Sequence, residues 1–341
     1  MEQGLRESML SVIRDGIVRR VFPGAVATAI IGNDAVTVQE GYAQLYPESE
    51  KRLMTENTPF DLASLTKVVV TTTILMKSIE QGLIDLMDSV NDYVSFDKRV
   101  KILNLANHSS GLPAWLPLQS FKNCSEAAEF ISGIQGIDPG IKETYSDLGF
   151  ILLGHILEKV VGKTIDSIAD EEIFKPLGMT NSRYSPCEGA ASTEVIDNQA
   201  ITGIVHDENA RALGGKCGHA GLFSTAGDLT KFVLSLMRGE ILSRAAVESM
   251  TNKNYVVKGG NHSIGWQVMT DNRPASAGSL LSDSAFGHTG FTGTSIWIDP
   301  KYGVAIVFLT NSVHYGRGRD VNKYRRLLSD AVVSFAQHHD L

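Results

Sequence analysis

Apolar and polar positions follow two different periods along the chain. Residues 5–20 repeat apolar side chains every three or four positions, which predicts an amphipathic helix. Two β-rich runs, 25–31 and 35–39, come next, and the Gly32-Asn33-Asp34 sequence between them is typical of a hairpin turn. We therefore expect the first helix to cover a sheet that contains this hairpin.

The carboxyl-terminal part shows similar elements in the reverse order. It carries three strand-like runs and then a helical pattern, at residues 265–269, 294–298, 304–309 and 321–335. The middle of the chain has mainly helical patterns, including residues 148–161 before Gly162. The expected fold is α+β, with an antiparallel sheet flanked by N- and C-terminal helices. Residues 1–82 and 227–341 would form the sheet domain and 83–226 an inserted, mainly helical domain, with the active site in the cleft between them.

The first pattern with chemical meaning is Ser64-Leu65-Thr66-Lys67. If a helix begins at Ser64, Lys67 lies one turn later on the same side, and its amine reaches the serine hydroxyl. The free N–H groups of a helix start also favour the negative charge that develops during acylation. Propensity alone does not decide whether this segment is helical, because the β-branched run 68–73 favours a strand. Ser95-Phe96-Asp97-Lys98 has the same spacing without comparable surroundings.

Two further motifs stand where a three-part serine site needs them. Tyr145-Ser146-Asp147 opens the apolar helical stretch of the middle region, and His288-Thr289-Gly290 lies between two strand-like runs. A tyrosine hydroxyl and a lysine amine can together accept and return the proton of an attacking serine. The order and context of the three motifs favour a serine site that forms an acyl-enzyme.

With these motifs, the chain resembles the serine β-lactamase-related hydrolases and penicillin-binding proteins, closest to their class C branch. Family-like segments extend the resemblance over roughly residues 20–312, at 60–67, 81–85, 105–113, 173–181 and 288–299. The resemblance implies the β-lactamase/transpeptidase-like fold. It also implies that Ser64 attacks a carbonyl to form an acyl-enzyme, that Lys67 and Tyr145 share the proton transfers, and that water later releases the acyl group.

The same resemblance implies the remaining site residues. The backbone N–H groups of Ser64 and Phe291 would form the oxyanion hole, with Phe291 directly after His288-Thr289-Gly290 on an edge strand of the sheet. Substrate would be bound by Asp147, His288, Thr289, Gly290 and His219. The last of these lies in residues 214–221, which together with 205–210 resemble a subgroup that includes D-alanyl-D-alanine carboxypeptidase-like proteins and cytoplasmic amidases of muropeptide recycling.

Two positions depart from the class C pattern, which usually has Tyr-x-Asn and Lys-Thr-Gly. Ionised Asp147 only accepts hydrogen bonds, so we expect it to hold Lys67 or another cationic or N–H-bearing group. His288 has an ordinary pKa of about 6.5, so we expect its grip on a substrate carboxylate to weaken between about pH 6 and 8. Efficient β-lactamase activity is therefore not the first expectation.

Several residues near these motifs keep two interpretations. His206, Asp207 and His219 are residue types that bind zinc, and a polar network lining the cleft wall is their alternative. Trp115 is either an aromatic residue of the cleft or an ordinary packing residue. His108 is expected to order a loop. The prediction includes no cofactor and no metal.

Composition narrows the set of partners. The chain has a formal net charge of -7 and no long basic run, which argues against nucleic acid, and it lacks the ~18–20 continuous apolar residues of a membrane span. Cys124, Cys187 and Cys217 are too few for a disulfide framework, so a reducing compartment is the simpler expectation. The charged opening residues lack the apolar core of a signal peptide, which predicts a cytoplasmic location, with a trimmed leader as the alternative.

The predicted function is hydrolysis of an amide or ester through a Ser64 acyl-enzyme, with a cell-wall-derived peptide or muropeptide as substrate. β-Lactams are covalent ligands to test. A small-molecule carboxylesterase is the second enzymatic reading, because the same groups cleave esters. The alternative of another class is a penicillin-recognising binding protein that is acylated and turns over little.

Overall fold

The computed structural model describes residues 2–134 and 138–339, so residues 135–137 of the predicted inserted domain lie outside the described part. Its strands are β1 (Gly24–Ile31), β2 (Asp34–Gln44), β3 (Arg52–Leu53), β4 (Phe60–Asp61), β5 (Arg183–Tyr184), β6 (Val195–Ile196), β7 (Gln199–Ala200), β8 (Leu222–Ser224), β9 (Gln267–Val268), β10 (Phe286–Thr289), β11 (Ser295–Asp299) and β12 (Val304–Thr310). Its α-helices are α1 (Glu2–Val18), α2 (Thr73–Glu80), α3 (Ile102–Ala106), α4 (Cys124–Ser132), α5 (Asp147–Val161), α6 (Ile165–Ala169), α7 (Lys175–Leu177), α8 (Glu208–Ala212), α9 (Ala226–Arg238), α10 (Arg244–Met250) and α11 (Val321–His338).

The main sheet joins the two ends of the chain. Its strand order is β3-β2-β1-β12-β11-β10-β9, and neighbouring strands are antiparallel. β1 and β12 pair from Ala25 opposite Thr310 to Ile31 opposite Val304. The predicted antiparallel sheet built from both ends is therefore confirmed. The division into two domains stays a prediction.

The sheet has an apolar layer on each face because alternate residues of a strand point to opposite sides. On one face, Ala27, Ile306 and Phe308 belong to a core that α1 and α11 close. On the other face, Val26 and Val307 belong to a larger core that continues into the helical region around α5. The expected cover of the sheet by the terminal helices is present.

The segment after Ser64 is helical in spite of its β-branched residues. It begins as a turn at Ser64, passes through a π-helical stretch, Lys67–Thr72, and continues as α2. Every side chain of Lys67–Thr72 is buried. Packing between the sheet and the helical region thus outweighs the weak helix propensity of valine and threonine. Lys67 lies one turn after Ser64, as a serine site requires.

Asp147 is the first residue of α5, a helix with ten of its fifteen residues buried. Ser146 caps the helix, since its Oγ accepts a hydrogen bond from Gly149 N at 3.2 Å. Gly162 ends it in the left-handed conformation, with φ of 77°. These caps fix Tyr145 and Asp147 at the helix start and confirm the helix predicted over residues 148–161, with its start one residue earlier.

Two of the three cysteines are paired in the structure. Cys124 at the start of α4 and Cys217 form a disulfide across a sequence separation of 93 residues, while Cys187 is free and buried. Sequence spacing does not show this pairing, because it arises only when α4 packs on the helical region. Disulfides persist in oxidising environments, so the cysteines no longer support a reducing compartment, and a cytoplasmic location stays a prediction. No helix among the described residues is long and apolar enough to cross a membrane.

Candidate active site

Motifs from separate parts of the chain meet around the ammonium group of Lys67. Its Nζ donates to Ser64 Oγ at 2.9 Å, to Asp147 Oδ1 at 2.7 Å and to the carbonyl oxygen of His219 at 3.2 Å. The side chain of Lys67 is fully buried. Three acceptors for three N–H donors is the arrangement that a protonated lysine needs. The expected contact between Asp147 and Lys67 is therefore present.

The charges of this cluster set the protonation of its two proton carriers. Burial lowers the pKa of Lys67, but the charge of Asp147, its hydrogen bond to Lys67 and the neighbouring Tyr145 raise it more, so the pKa ends above its ordinary value. Burial raises the pKa of Tyr145, and Lys67 offsets part of that rise. Both groups consequently hold their protons at neutral pH.

Tyr145 stands over the lysine at the mouth of the cleft. Its ring centroid lies 5.0 Å from Lys67 Nζ, and its hydroxyl is near enough to Ser64 and Lys67 for both to lower its pKa. Behind it, His108 Nδ1 accepts from Ser146 N at 3.0 Å, and the two ring centroids of His108 and Tyr145 are 4.4 Å apart. His108 thus orders the Tyr145 segment, in agreement with the loop-ordering role expected for it.

Asp61, which sequence reasoning missed, holds the turn before Ser64. Its buried carboxylate accepts from Ala63 N at 2.9 Å and from His206 N at 2.6 Å. Ala63 has a φ of 47°, a left-handed conformation that a non-glycine residue keeps only where its surroundings enforce it. Asp61 supplies that enforcement. No spacing rule singles this aspartate out, because both of its partners are backbone N–H groups.

The end of β10 lies against the serine segment. Thr292 Oγ1 donates to the carbonyl oxygen of Asp61 at 2.7 Å, and Thr294 Oγ1 donates to that of Leu62 at 3.1 Å. Gly290 has no room for a side chain, since a Cβ there would come within 2.3 Å of the Leu62 carbonyl oxygen. This close approach brings Phe291 beside Ser64 at the cleft, where the proposed oxyanion hole needs its N–H.

The resemblance implied that β10 is an edge strand, but β10 is not the outermost strand of the sheet. β9 lies outside it, but β9 pairs only with Phe286 and Gly287. Within the part of the chain that the structure describes, the backbone from His288 onward therefore has no neighbouring strand on the β9 side. It remains open to a substrate, and His288, Thr289 and Gly290 all line the cleft.

His288 does not titrate as the sequence suggested. Burial, with the nearby charges of His262 and Lys67, holds its pKa well below the usual value. His288 Nδ1 lies 2.9 Å from the carbonyl oxygen of Thr289, so Nδ1 carries the proton and Nε2 is left as an acceptor. Within the described residues, Nε2 has no partner. The expected weakening of carboxylate binding between about pH 6 and 8 is wrong, because the imidazole is already neutral.

Glu143 and His262 also line the cleft, and the sequence did not indicate either of them. His262 Nδ1 lies 2.7 Å from Glu143 Oε1, and Glu143 Oε2 accepts from the backbone N–H groups of Asn261 and His262. Burial would raise the pKa of Glu143, but these hydrogen bonds and the imidazole hold it below its usual value. Glu143 and His262 are 119 positions apart in the sequence, so no local motif links them.

His219 contributes a backbone carbonyl to the site. Its ring is buried, its Nε2 lies 3.0 Å from Asp207 Oδ1, and the side chain lines neither part of the cleft. Contact of His219 with substrate stays a prediction. Among the described residues, no group of three or more His, Cys, Asp or Glu side chains is arranged to hold a metal ion. His206 Nε2 lies 3.1 Å from Glu194 Oε2, so His206, Asp207 and His219 each have a polar partner within the protein.

Two arms of the cleft meet at Ser64, Tyr145 and Phe291. The first, of about 670 Å³, is called here the arginine arm after its cations, Arg273, Arg319 and Arg325. The second, of about 560 Å³, is called the aromatic arm and is lined by Trp115, Phe291, Gln119, Asp207, Glu208 and Arg317. A ligand bound at Ser64 can thus extend in two directions with different chemistry.

Comparison with known proteins gives consistent matches for sequence and fold. The model of the family described as Beta-lactamase matches residues 10–331. The N-acetylmuramyl-L-alanine amidase of Bacillus subtilis (strain 168) is 30% identical over 86% of this chain and 78% of its own. The putative D-alanyl-D-alanine carboxypeptidase of Escherichia coli O157:H7 is 31% identical over 76% of this chain and 70% of its own.

Solved structures share the whole fold at low identity. EstCE1, a hydrolase with promiscuous acyltransferase activity, superposes with a TM-score of 0.80 at 22% identity over 97% of this chain and 99% of its own. A class C beta-lactamase superposes with a TM-score of 0.77 at 19% identity over 98% of both chains. Together with the extent of the family match, these findings show that the chain belongs to the beta-lactamase family of serine hydrolases.

Proposed function

We propose that the chain hydrolyses an amide bond of a cell-wall-derived peptide or muropeptide through an acyl-enzyme on Ser64. The observation that carries the proposal is the contact of Lys67 with both Ser64 and Asp147 at the junction of two large arms. The Bacillus relative supports it, because its name specifies an amide between a sugar-linked acyl group and L-alanine.

The proposed reaction starts when the Lys67 and Tyr145 pair has lost one of its protons. Ser64 Oγ attacks the carbonyl carbon, and its proton passes to that pair. The oxyanion lies between the N–H groups of Ser64 and Phe291. The C–N bond then breaks, and the pair returns the proton to the leaving amine. Water repeats the sequence on the acyl-enzyme and gives a carboxylic acid and free Ser64.

The arginine arm suits the anionic peptide part of such a substrate. Arg325 is buried and donates to the carbonyl oxygens of Gly290 and Thr294, while its Nε has no partner. No carboxylate within the described residues forms an ion pair with it. Burial lowers the pKa of Arg325 to about 9, which leaves it charged at neutral pH. A buried cation without a counter-ion is costly, and a peptide carboxylate would complete it.

The first experiment is intact-protein mass spectrometry after exposure to a fluorophosphonate and, separately, to benzylpenicillin. We expect one covalent adduct per chain that is absent in Ser64→Ala. A matched control is Ser95→Ala, because Ser95 has the same spacing to Lys98 but lies outside the cleft. No adduct with either reagent would refute the Ser64 acyl-enzyme.

A substrate panel then separates the three functions. Turnover of N-acetylmuramyl-L-alanine or of D-alanyl-D-alanine peptides supports the proposal. Turnover of short esters alone would indicate the carboxylesterase. A penicillin adduct that persists for hours, without turnover of any amide or ester, would indicate the binding protein.

A further inference from the structure

Trp115 is an exposed tryptophan beside Ser64, in a backbone segment that hydrogen bonds hold in place. Its side chain is 48% exposed and lines the aromatic arm. The backbone on either side is held in place, because the carbonyl oxygen of Ala114 accepts from Asp147 N and that of Leu116 accepts from Asn209 Nδ2, both at 2.9 Å. Leaving so much apolar surface in water has a cost. The indole is therefore presented to the cleft and is not a packing residue of the core.

Phe291 is a second exposed aromatic residue of the same arm. It is 58% exposed. His206 stacks on its ring at 5.7 Å between centroids and 21° between planes, and the Arg317 guanidinium lies 5.8 Å from the ring centroid. These two contacts hold the ring on one side and leave another side to the cleft. Two fixed aromatic surfaces thus line one cavity next to the nucleophile.

The remaining lining is polar but carries little free charge. Apart from the aromatic rings, the apolar side chains recorded along this arm are those of Ala63 and Ala220. Each carboxylate is bonded within the protein, Asp147 to Lys67, Glu208 to Arg317 and Asp207 to His219. The arm therefore suits neither an aliphatic acyl chain nor a free ammonium group. It suits a neutral ring that has apolar faces and polar edges.

We infer that the aromatic arm is a saccharide subsite that binds the pyranose ring of a muramyl group on the acyl side of the scissile amide. The inference rests on the proposed function. In a muropeptide the acyl group is a lactyl group carried by the sugar, so sugar and peptide extend from the reacting carbonyl in two directions. A pyranose presents C–H groups on its faces, which pack on aromatic rings, and hydroxyl groups at its edge, which bond to Gln119 and Glu208. The volume of about 560 Å³ is ample for one such ring.

Tryptophan fluorescence tests the subsite without any turnover. Trp266 and Trp297 are 0% and 1% exposed, so Trp115 is the indole that a ligand in the cleft can reach. In Ser64→Ala, we expect N-acetylmuramic acid to change the emission in a saturable manner and lactic acid to leave it unchanged. The same titration of Ser64→Ala combined with Trp115→Phe should be flat. A flat titration with Trp115 in place would overturn the inference.

Kinetics test whether the sugar contributes to catalysis. The substrates are N-acetylmuramyl-L-alanine and lactoyl-L-alanine, which share the amide and differ in the sugar. We expect Trp115→Ala to lower the ratio of kcat/KM for N-acetylmuramyl-L-alanine to kcat/KM for lactoyl-L-alanine about tenfold, and Trp115→Phe to keep most of that ratio. The matched control is Phe130→Ala, because Phe130 is 47% exposed and lies outside both arms.

The outcomes separate this inference from the proposed function. If Trp115→Ala lowers kcat/KM equally for both substrates, or for neither of them, the saccharide subsite is overturned and the amidase stands. If the native chain cleaves neither amide while N-acetylmuramic acid still changes the Trp115 emission, the proposed function fails and the subsite stands.

Discussion

Removal of Asp147 tests the charge arrangement of the site. Lys67 Nζ is 2.7 Å from Asp147 Oδ1, and the exposed fractions of the two side chains are 0% and 21%. Removing one partner of a buried ion pair costs about 3–5 kcal/mol because the other charge is left without compensation. The partial exposure of Asp147 admits water, so we expect Asp147→Ala to lower the free energy of unfolding by about 3 kcal/mol at pH 7.

The lysine itself sets an upper limit to this loss. A buried ammonium group without a counter-ion releases its proton instead of staying charged. Discharging a lysine at pH 7 costs about 1.4 kcal/mol for each unit between the solution pH and its ordinary pKa of about 10.4. The penalty of an unpaired Lys67, relative to a solvated lysine, is therefore capped at about 5 kcal/mol. Since the fold raises the pKa of Lys67, the stabilisation is fully present below about pH 10 and is lost as pH rises through the higher value in the folded state.

The assay is a double-mutant cycle by urea unfolding at pH 7, with Asp147→Ala, Lys67→Met and the double variant. We expect a coupling free energy of about 2 kcal/mol or more between the two positions. Asp147→Asn is the matched control, because its amide oxygen still accepts a hydrogen bond from Lys67 and it should lose less. Additive losses in the double variant would show that the two charges do not stabilise one another, and the reasoning would be refuted.

Four other predictions follow from the contacts described above. Because Lys67 and Tyr145 both hold protons at neutral pH, kcat/KM should rise with pH above neutrality, and Asp147→Asn should move that rise to lower pH by about one unit; an unmoved profile would contradict the role of Asp147. His288→Lys should raise the acylation rate with benzylpenicillin about tenfold through a charge-assisted hydrogen bond, whereas His288→Asn should not, and carboxylate binding to the native chain should be flat from pH 6 to 8. Asp61→Ala should lower kcat about a hundredfold by releasing the Ser64 turn, while KM and the circular dichroism spectrum change little; a loss of the native spectrum in proportion to kcat would show misfolding instead. Cys124→Ser, like reduction of the native chain, should lower the free energy of unfolding by about 2–4 kcal/mol, because the disulfide closes a long loop. The control variant Cys187→Ser keeps the disulfide, so a reductant should still lower its free energy of unfolding.

The sequence predicts the sheet elements well because their signals are local. The hairpin of β1 and β2, the helix α5 between Ser146 and Gly162, and the final helix α11 all have caps or turn residues within a few positions. The helix after Ser64 could not be decided in that way. Its valines and threonines favour a strand, and only burial on all sides makes it helical.

The supporting groups of the site were hidden for a different reason. Ser64, Lys67 and Tyr145 belong to motifs of fixed spacing, and the structure brings them together. Asp61 acts through hydrogen bonds to backbone N–H groups, and the pairing of Cys124 with Cys217 joins positions far apart in sequence. Such contacts depend on tertiary packing, so no pattern along the chain records them.

The two departures from the class C pattern act together on the charge around Ser64. Lysine in the motif on β10 and asparagine at the start of α5 would leave two positive charges near the nucleophile, whereas His288 is neutral and Asp147 compensates Lys67. The centre of this site is therefore close to neutral, and the cations lie farther along the arginine arm. An anionic group attached close to the scissile bond, as in a penicillin, meets a Lys67 whose charge Asp147 already compensates. A substrate with a neutral group in the aromatic arm and its carboxylates farther along the peptide matches this distribution of charge better.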